Sequence, residues 1–358
     1  MNLKNVTPLG INEDSIMDLL KLYQYKGKDY YYDNLLKNDL EAIERKTIKT
    51  ELLTLARMLN LDITDARKKL LVKKDAVAKN KDEQMFINLR LLLTKFIGDY
   101  KEFELDSNEF LMFSKGLYSS IENVKYRTYK ARGEKIGFLE QSKLVSQRET
   151  IEEMLKEFKI KMNSGRYEVT NLISNFYIDF INQDIFTNHN DLIGIFILYM
   201  LLFTSGFTAF KYVSFFELLQ RHAEELKDAT LKANLNYEDG YSDTRKLDNL
   251  IINILLEAYD LVEEFVNTYS FDGKNSKESN IIGIIYHLPQ EFTKDDIRVK
   301  DPLTSDSTIN RALQKLQKEK KIRSMGFGRT AKWIRIESEP NYTDIHQMNL
   351  FEYDDDEE

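Results

Sequence analysis

Apolar residues along this chain recur at the three-to-four-residue period of helices. Ile43, Ile48, Leu52, Leu55 and Leu59 follow that spacing across Leu40–Asn60. Phe86, Leu89, Leu92, Leu93 and Phe96 repeat it behind Asn80-Lys81-Asp82-Glu83. Further helices are predicted around Ile16–Tyr25, over a short charged piece at 61–74, at 108–122 and at Ile151–Met162, with a tyrosine-rich stretch at Asp29–Asp33. Asn171–Phe180, Leu192–Phe203, Phe215–Ala233 and Leu247–Tyr269 complete the helical body. One segment breaks the period: Lys125–Glu140, with Gly133, Gly137 and interleaved aromatic and basic residues, predicts a hairpin or flap. Leu192 to Phe210 holds nineteen consecutive uncharged residues. Its continuous apolar part stops at Phe203, before Thr204-Ser205-Gly206, so a buried core helix is expected rather than a membrane span.

A change of pattern follows at Ser270–Lys277, where Gly, Asn, Ser and Lys replace the apolar period and predict a linker. Beyond it, Ser279–Leu288 reads as a helix with Ile281, Ile282, Ile284 and Ile285 inward, stopped by Pro289. Thr293 is a candidate N-cap for a second short helix. After a turn at Asp301-Pro302, Ser305 caps a third, whose core face is Ile309, Leu313 and Leu316. Ile322–Met325 and Ala331–Ile336 read as two short strands around a glycine-containing turn. Three helices and a hairpin in so short a span are expected to form a winged helix–turn–helix.

Composition narrows the class. The chain has 358 residues, 42% of them apolar, which excludes a single small module and a disordered chain. Four prolines and fourteen glycines are too few for the frequent turns of a sandwich or barrel. With no cysteine there is no disulfide framework, thiol nucleophile, iron–sulfur cluster or cysteine zinc site. His189, His222, His287 and His346 show no metal-ligand spacing, and no metal or cofactor is expected. The first residues lack the apolar run of a secretory signal, so a cytoplasmic protein without membrane attachment is expected.

Charge separates the parts more sharply than the total of −8. Residues 276–336 carry 13 Lys and Arg against 7 Asp and Glu, whereas 337–358 carry nine acids and no base. A basic island in an acidic chain fits a DNA-binding module, and a lysine-rich solvated surface is the plainer alternative. The acidic end is expected to be disordered, either solubilising the chain or competing with DNA for the module. On the third helix of the module, Ser307, Arg311, Gln314 and Lys318 lie opposite Ile309, with Asn310 and Lys315 at the edges. Such residues suit base edges and phosphates of a major groove. Arg329 and Lys332 fall on the wing, where phosphates or the minor groove would be near. Asp306 argues against, since a carboxylate repels phosphate. Trp333, the only tryptophan, is expected in the core, and a homodimer reading paired half-sites is the default.

The segment from Arg148 to about Tyr269 resembles a Fic domain, the fold best known for transferring AMP from ATP to hydroxyl side chains. The resemblance lies in the order of features. The apolar helix NLISNFYIDFI leads into the loop QDIFTNHND and then into LIGIFILYMLLFTSGF, followed by KYVSFFELLQRHAEELKDATLKA. The resemblance makes KYRTYKARGEKIGF the flap that holds a target chain, and Thr47–Glu51 with Asn80–Leu93 similar to the family's inhibitory helix region. The family's loop reads His-Pro-Phe-x-Asp-Gly-Asn-Gly-Arg-x-x-Arg. Anchored on Phe186, it places Asp184 at the His position, Ile185 at Pro and Asn188 at Asp. His189 and Asp191 then stand at the two glycines, with Leu192 and Ile195 at the two arginines. Only Phe186 and Asn190 match.

A carboxylate at 184 could still accept a proton from a hydroxyl, but glycines that let backbone N–H groups reach phosphates are gone, with the arginines that neutralise them. The loop is therefore expected to cap the following helix through Asn188–Asp191, with His189 a loop or capping residue. Glu51, lacking an arginine at 195, is expected to be a surface or capping glutamate. The organisation that follows is mainly α: an N-terminal helical region over 1–107, a degenerate Fic-like helical core with a small flap hairpin over 108–269, a linker at 270–277, the winged helix over 278–336 and the acidic tail at 337–358. The leading expectation is a catalytically degenerate regulator that binds DNA. A scaffold docking protein partners at the flap, or a nucleotidyl transferase with Asp184 as base and Asn190 as positioner, are the alternatives.

Overall fold

The most apolar stretch of the chain sets the arrangement of its neighbours. The structure, a computed structural model, describes residues 3, 6, 15–37, 39–72, 76–136, 139–272, 277–301, 304–326 and 331–336; at 130–143, 270–280 and 287 it describes no side chains. In it Ile193–Phe203, all but a half-buried Ile195, is buried around the whole circumference of helix α9 (Asn190–Thr204). A helix apolar on every side needs partners on every side. This is the expected core helix, and among the described residues none is long and apolar enough to cross a membrane.

Six helices precede the expected hairpin: α1 (Ile16–Lys26), α2 (Asp29–Leu36), α3 (Leu40–Met58), α4 (Asp65–Leu71), α5 (Lys81–Asp99) and α6 (Ser107–Leu117). β1 (Thr128–Ile136) and β2 (Leu139–Ser146) pair antiparallel as that hairpin. Then come α7 (Gln147–Ser164), α8 (Val169–Gln183), α9, a 3-10 turn at Thr208–Lys211, α10 (Phe215–Arg221), α11 (Ala223–Asn234) and α12 (Arg245–Asp272). Met1–Val266 form one compact unit. Tyr199 of α9 collects Phe96 of α5 at 5.6 Å and Phe215 of α10 at 5.0 Å between ring centroids. Gly194 permits the closest approach of α8 to α9, because a Cβ there would lie 3.1 Å from Ile181 Cγ2 and 3.3 Å from Phe180 Cδ1.

Two boundaries differ from the periodic pattern. The helix expected over Phe215–Ala233 breaks at His222, whose ring spans Glu225 at 3.2 Å and Glu257 of α12 at 3.0 Å. α12 runs on through Ser270–Asp272, into the expected linker, since nothing before Gly273 interrupts a helix.

Glu51 corrects the surface expectation. It is fully buried on α3 and reaches across to the start of α10. There it accepts the Phe215 N–H at 2.8 Å and the Phe216 N–H at 3.0 Å, and the Ser214 hydroxyl donates to it. These are first-turn groups that a helix leaves without partners. Glu51 therefore caps a helix other than its own. Burial pushes its carboxyl up to about 7, against the pull of those three donors.

The smaller unit begins at Asn267. It contains α13 (Lys277–His287), β3 (Glu291–Thr293), α14 (Lys294–Lys300), α15 (Asp306–Lys318), β4 (Ile322–Met325) and β5 (Lys332–Arg335). Thr293 closes a capping box with Asp296, and Ser305 accepts the Thr308 N–H at 3.3 Å. β5 lies between β3 and β4, antiparallel to both, so β3 adds a strand that periodicity over three residues could not announce. Ile281, Ile285, Phe292, Ile297, Ile309 and Leu313 build its core, which includes Trp333 as expected.

A second buried acid makes the larger unit pH-sensitive. Asp248 of α12 and Glu168, the N-cap of α8, each lie 2.6 Å from the single hydroxyl of Thr170. Burial pushes Asp248 up to about 7, against the pull of the Thr170 hydroxyl. Glu51 and Asp248 release their protons near neutrality when folded and near pH 4 when unfolded. Their contribution to stability is thus full below about pH 4 and is lost as pH rises through about 7. Asp248→Asn is expected to remove part of that fall and to raise stability at pH 8 by on the order of 2 kcal/mol. Urea unfolding at pH 5 and pH 8 measures this, and identical pH slopes in variant and parent would contradict it.

Candidate functional site

The loop between α8 and α9 is tied to itself. Asp184 ends α8 in the left-handed region, with φ of 54°. Asn190, the first residue of α9, accepts the Phe186 N–H at 2.8 Å through Oδ1. Its Nδ2 donates to the Phe186 carbonyl and to Asp184 Oδ1, each at 2.8 Å. The other oxygen of Asp184 pairs with Arg127. Phe186 is buried and stacks on Tyr126, with centroids 5.0 Å apart. Backbone bonds from Arg127 N–H to the Ile185 carbonyl (3.0 Å) and from Thr187 N–H to the Lys125 carbonyl (2.9 Å) join the loop to the chain entering the hairpin. All three expected remnant positions, Asp184, Phe186 and Asn190, therefore come together.

Asn188–Asp191 supplies the N-cap of α9 as expected, through the His189 backbone carbonyl, which accepts the Ile193 N–H at 3.0 Å. His189 is the N-cap residue, at φ 64°, and its side chain makes no cap bond. Asn190 turns back into the loop, where its amide satisfies Phe186 on both sides. The His189 ring instead stacks on Tyr118 at 4.0 Å and meets Glu122 at 2.8 Å, and Asn188 also donates to Glu122. The bond with His189 holds the Glu122 carboxyl below its ordinary range. Tyr118 and Glu122 lie far from the loop in sequence, and no local pattern marks them.

Acidic side chains, Asp184, Glu122 and the exposed Asp191, stand around the loop, while Arg127 pairs with Asp184 and the His189 ring meets Glu122. Two like charges 4 Å apart near a protein surface repel by about 4 kcal/mol. Leu192 and Ile195 are half-buried and offer no charge. Among the described residues, no group of three or more His, Asp or Glu side chains could hold a metal ion.

The second candidate is the outer face of α15. Ile309, Ala312, Leu313 and Leu316 are buried, leaving Ser307, Asn310, Arg311, Gln314, Lys315 and Lys318 exposed on the other side. Lys332 is exposed on β5, 4.0 Å from Glu291, and Arg329 lies outside the described residues, as does the tail at 337–358. Asp306, the acid that argued against DNA, has a partner the sequence did not disclose. Arg298 of α14 donates to its Oδ1 from Nε at 3.1 Å and from Nη2 at 2.8 Å.

The ties of Asn190 make a stability prediction. Asn190→Ala would strand the Phe186 N–H and cost roughly 1–3 kcal/mol. The denaturation midpoint of the purified variant measures the loss; an unchanged midpoint would show that the loop closes without it.

No protein-family profile and no curated protein matches the chain. Solved structures do. A Fic family protein from Desulfovibrio desulfuricans superposes with a TM-score of 0.51 at 14% identity, covering 93% of this chain and 99% of the other. A Fic domain containing signaling protein from Bacteroides thetaiotaomicron gives 0.50, also at 14% identity, covering 69% of this chain and 98% of its own. The order of helices around the hairpin and the self-tied loop is thus that of a known architecture: the chain has a Fic-like fold.

Proposed function

We propose that this chain is a catalytically degenerate Fic-like protein whose C-terminal unit is a winged helix that binds DNA. The observation that carries the reading is the two-sided character of α15, apolar inward and polar to basic outward. Helix, strand, two helices and two further strands, with β5 central, is the element order of a winged helix, in which α15 would enter the major groove. Arg311, Gln314 and Asn310 suit base edges, Lys315 and Lys318 suit phosphates, and Arg329 and Lys332 belong to the wing. Degeneracy is supported by the loop, where an imidazole, carboxylates and aliphatic side chains stand in place of a phosphate cradle.

One observation favours a second reading. The hairpin stays fastened to the loop through backbone bonds although the family's catalytic residues are replaced. A hairpin kept in place without a reaction to serve could still take a partner peptide as an added strand. Nucleotidyl transfer would require Asp184 to leave Arg127. Nucleotide-dependent labelling of a protein by the native chain, lost in Asp184→Ala, would restore the enzyme reading.

Selection of genomic DNA fragments by the full-length protein tests the proposal directly. Discrete fragments are expected, and they should be lost with the double variant Arg311→Ala, Lys315→Ala. Affinity should fall steeply with salt, and each phosphate contact removed should flatten the logarithmic slope by about 0.9. Binding insensitive to salt, or equal enrichment by native and variant, would reject a DNA-reading α15.

A further inference from the structure

In helix–turn–helix docking, the first residues of the recognition helix come nearest the base edges. Here those residues are Asp306 and Ser307, both exposed. A carboxylate in that position is repelled by the phosphates on either side of the groove, unless it is screened and meets a donor. Arg298 provides the screen. Its two N–H groups converge on one oxygen of Asp306, and its third nitrogen pairs with Asp295 on its own helix. The guanidinium thus spans α14 and the start of α15 and fixes the direction of the Asp306 side chain. The pairing does not bury the acid, whose side chain remains 64% exposed.

A screened, oriented carboxylate is an acceptor without a proton to give. Among base edges in the major groove, guanine offers N7 and O6 and thymine offers O4, all acceptors that repel it. Adenine places its N6 donor beside the N7 acceptor. Cytosine is the base whose own major-groove edge carries a donor, N4, and no acceptor. We infer that Asp306, held by Arg298, selects a cytosine at one position of the DNA site, with Arg298 a positioning residue. This rests on the reading of α15 as a DNA-recognition helix. The plainer role for an acid at a helix start, stabilising the helix dipole, needs neither the arginine nor any base.

The test is selection from a randomised duplex pool by the full-length protein, in parallel with Asp306→Ala and Asp306→Asn. Asp306 is exposed, and neither change opens a core. The native chain is expected to enrich sites with one fixed C·G pair whose replacement weakens binding about tenfold or more. Asp306→Ala should level the preference at that pair alone. Asp306→Asn should shift it toward adenine, because an amide can bond N6 and N7 together. Arg298→Ala should blur the same position and no other. If the variants bind DNA with every preference unchanged, the assignment to Asp306 is wrong while DNA recognition stands. If the native chain enriches no sequence, both fall.

Discussion

A helix with no polar side must be enclosed, and enclosing α9 is the constraint on which the larger unit depends. Every partner helix spends apolar surface on it, and the aromatic residues of α5, α9 and α10 fill the space between them. The demand also fixes the loop at its N-terminal end. α8 must return close beside α9, which Gly194 allows, and the short connection must turn sharply while satisfying its own backbone groups. Asn190 does this with one amide, accepting from and donating to Phe186, while Asp184 and His189 take the left-handed conformations that the turn needs.

The same tightness explains the chemistry of the loop. A phosphate-binding turn keeps its N–H groups open to solvent and its flanks free of acids. Here the surroundings are acidic, the imidazole is stacked against Tyr118, and Asp184 is shared between Arg127 and Asn190. These contacts are structural bonds between the loop, α6's trailing turn and the entry to the hairpin. The apolar packing of α8 and α9 holds this arrangement without drawing on the polar side chains of the loop.

Charged side chains play opposite parts in the two units. Glu51 and Asp248 are buried in the larger one, each satisfied by hydroxyl or backbone donors and each made hard to ionise by its surroundings. In the smaller unit the ionic contact of interest is at the surface, where Arg298 joins two helices through Asp295 and Asp306. Burial there would make ionisation costly; at the surface the Asp306 side chain stays 64% exposed. Location, more than residue type, separates a structural carboxylate from one that can recognise something.

Periodicity was enough to identify most of the helices, because burial of an apolar face leaves its mark at every third or fourth residue. It also placed the hairpin, the capping roles of Thr293 and Ser305, and the outward face of α15, all of which follow from local spacing. The break at His222 and the strand β3 were not legible, the first because His222 meets Glu257 on another helix, the second because three residues carry no period. Glu51 shows the limit most plainly: by sequence it is one more polar residue on a charged helix, and only packing against α10 turns it into a buried cap. Likewise the sequence supplied Asp184, Phe186 and Asn190 as isolated positions, while Arg127, Tyr118 and Glu122, which meet the loop, come from distant segments. The sequence by itself determined which elements form and which of their faces are apolar, since both depend on neighbours within a few residues. Tertiary structure alone decided which charges meet, because ion pairs and caps between helices are contacts across space that no local pattern encodes.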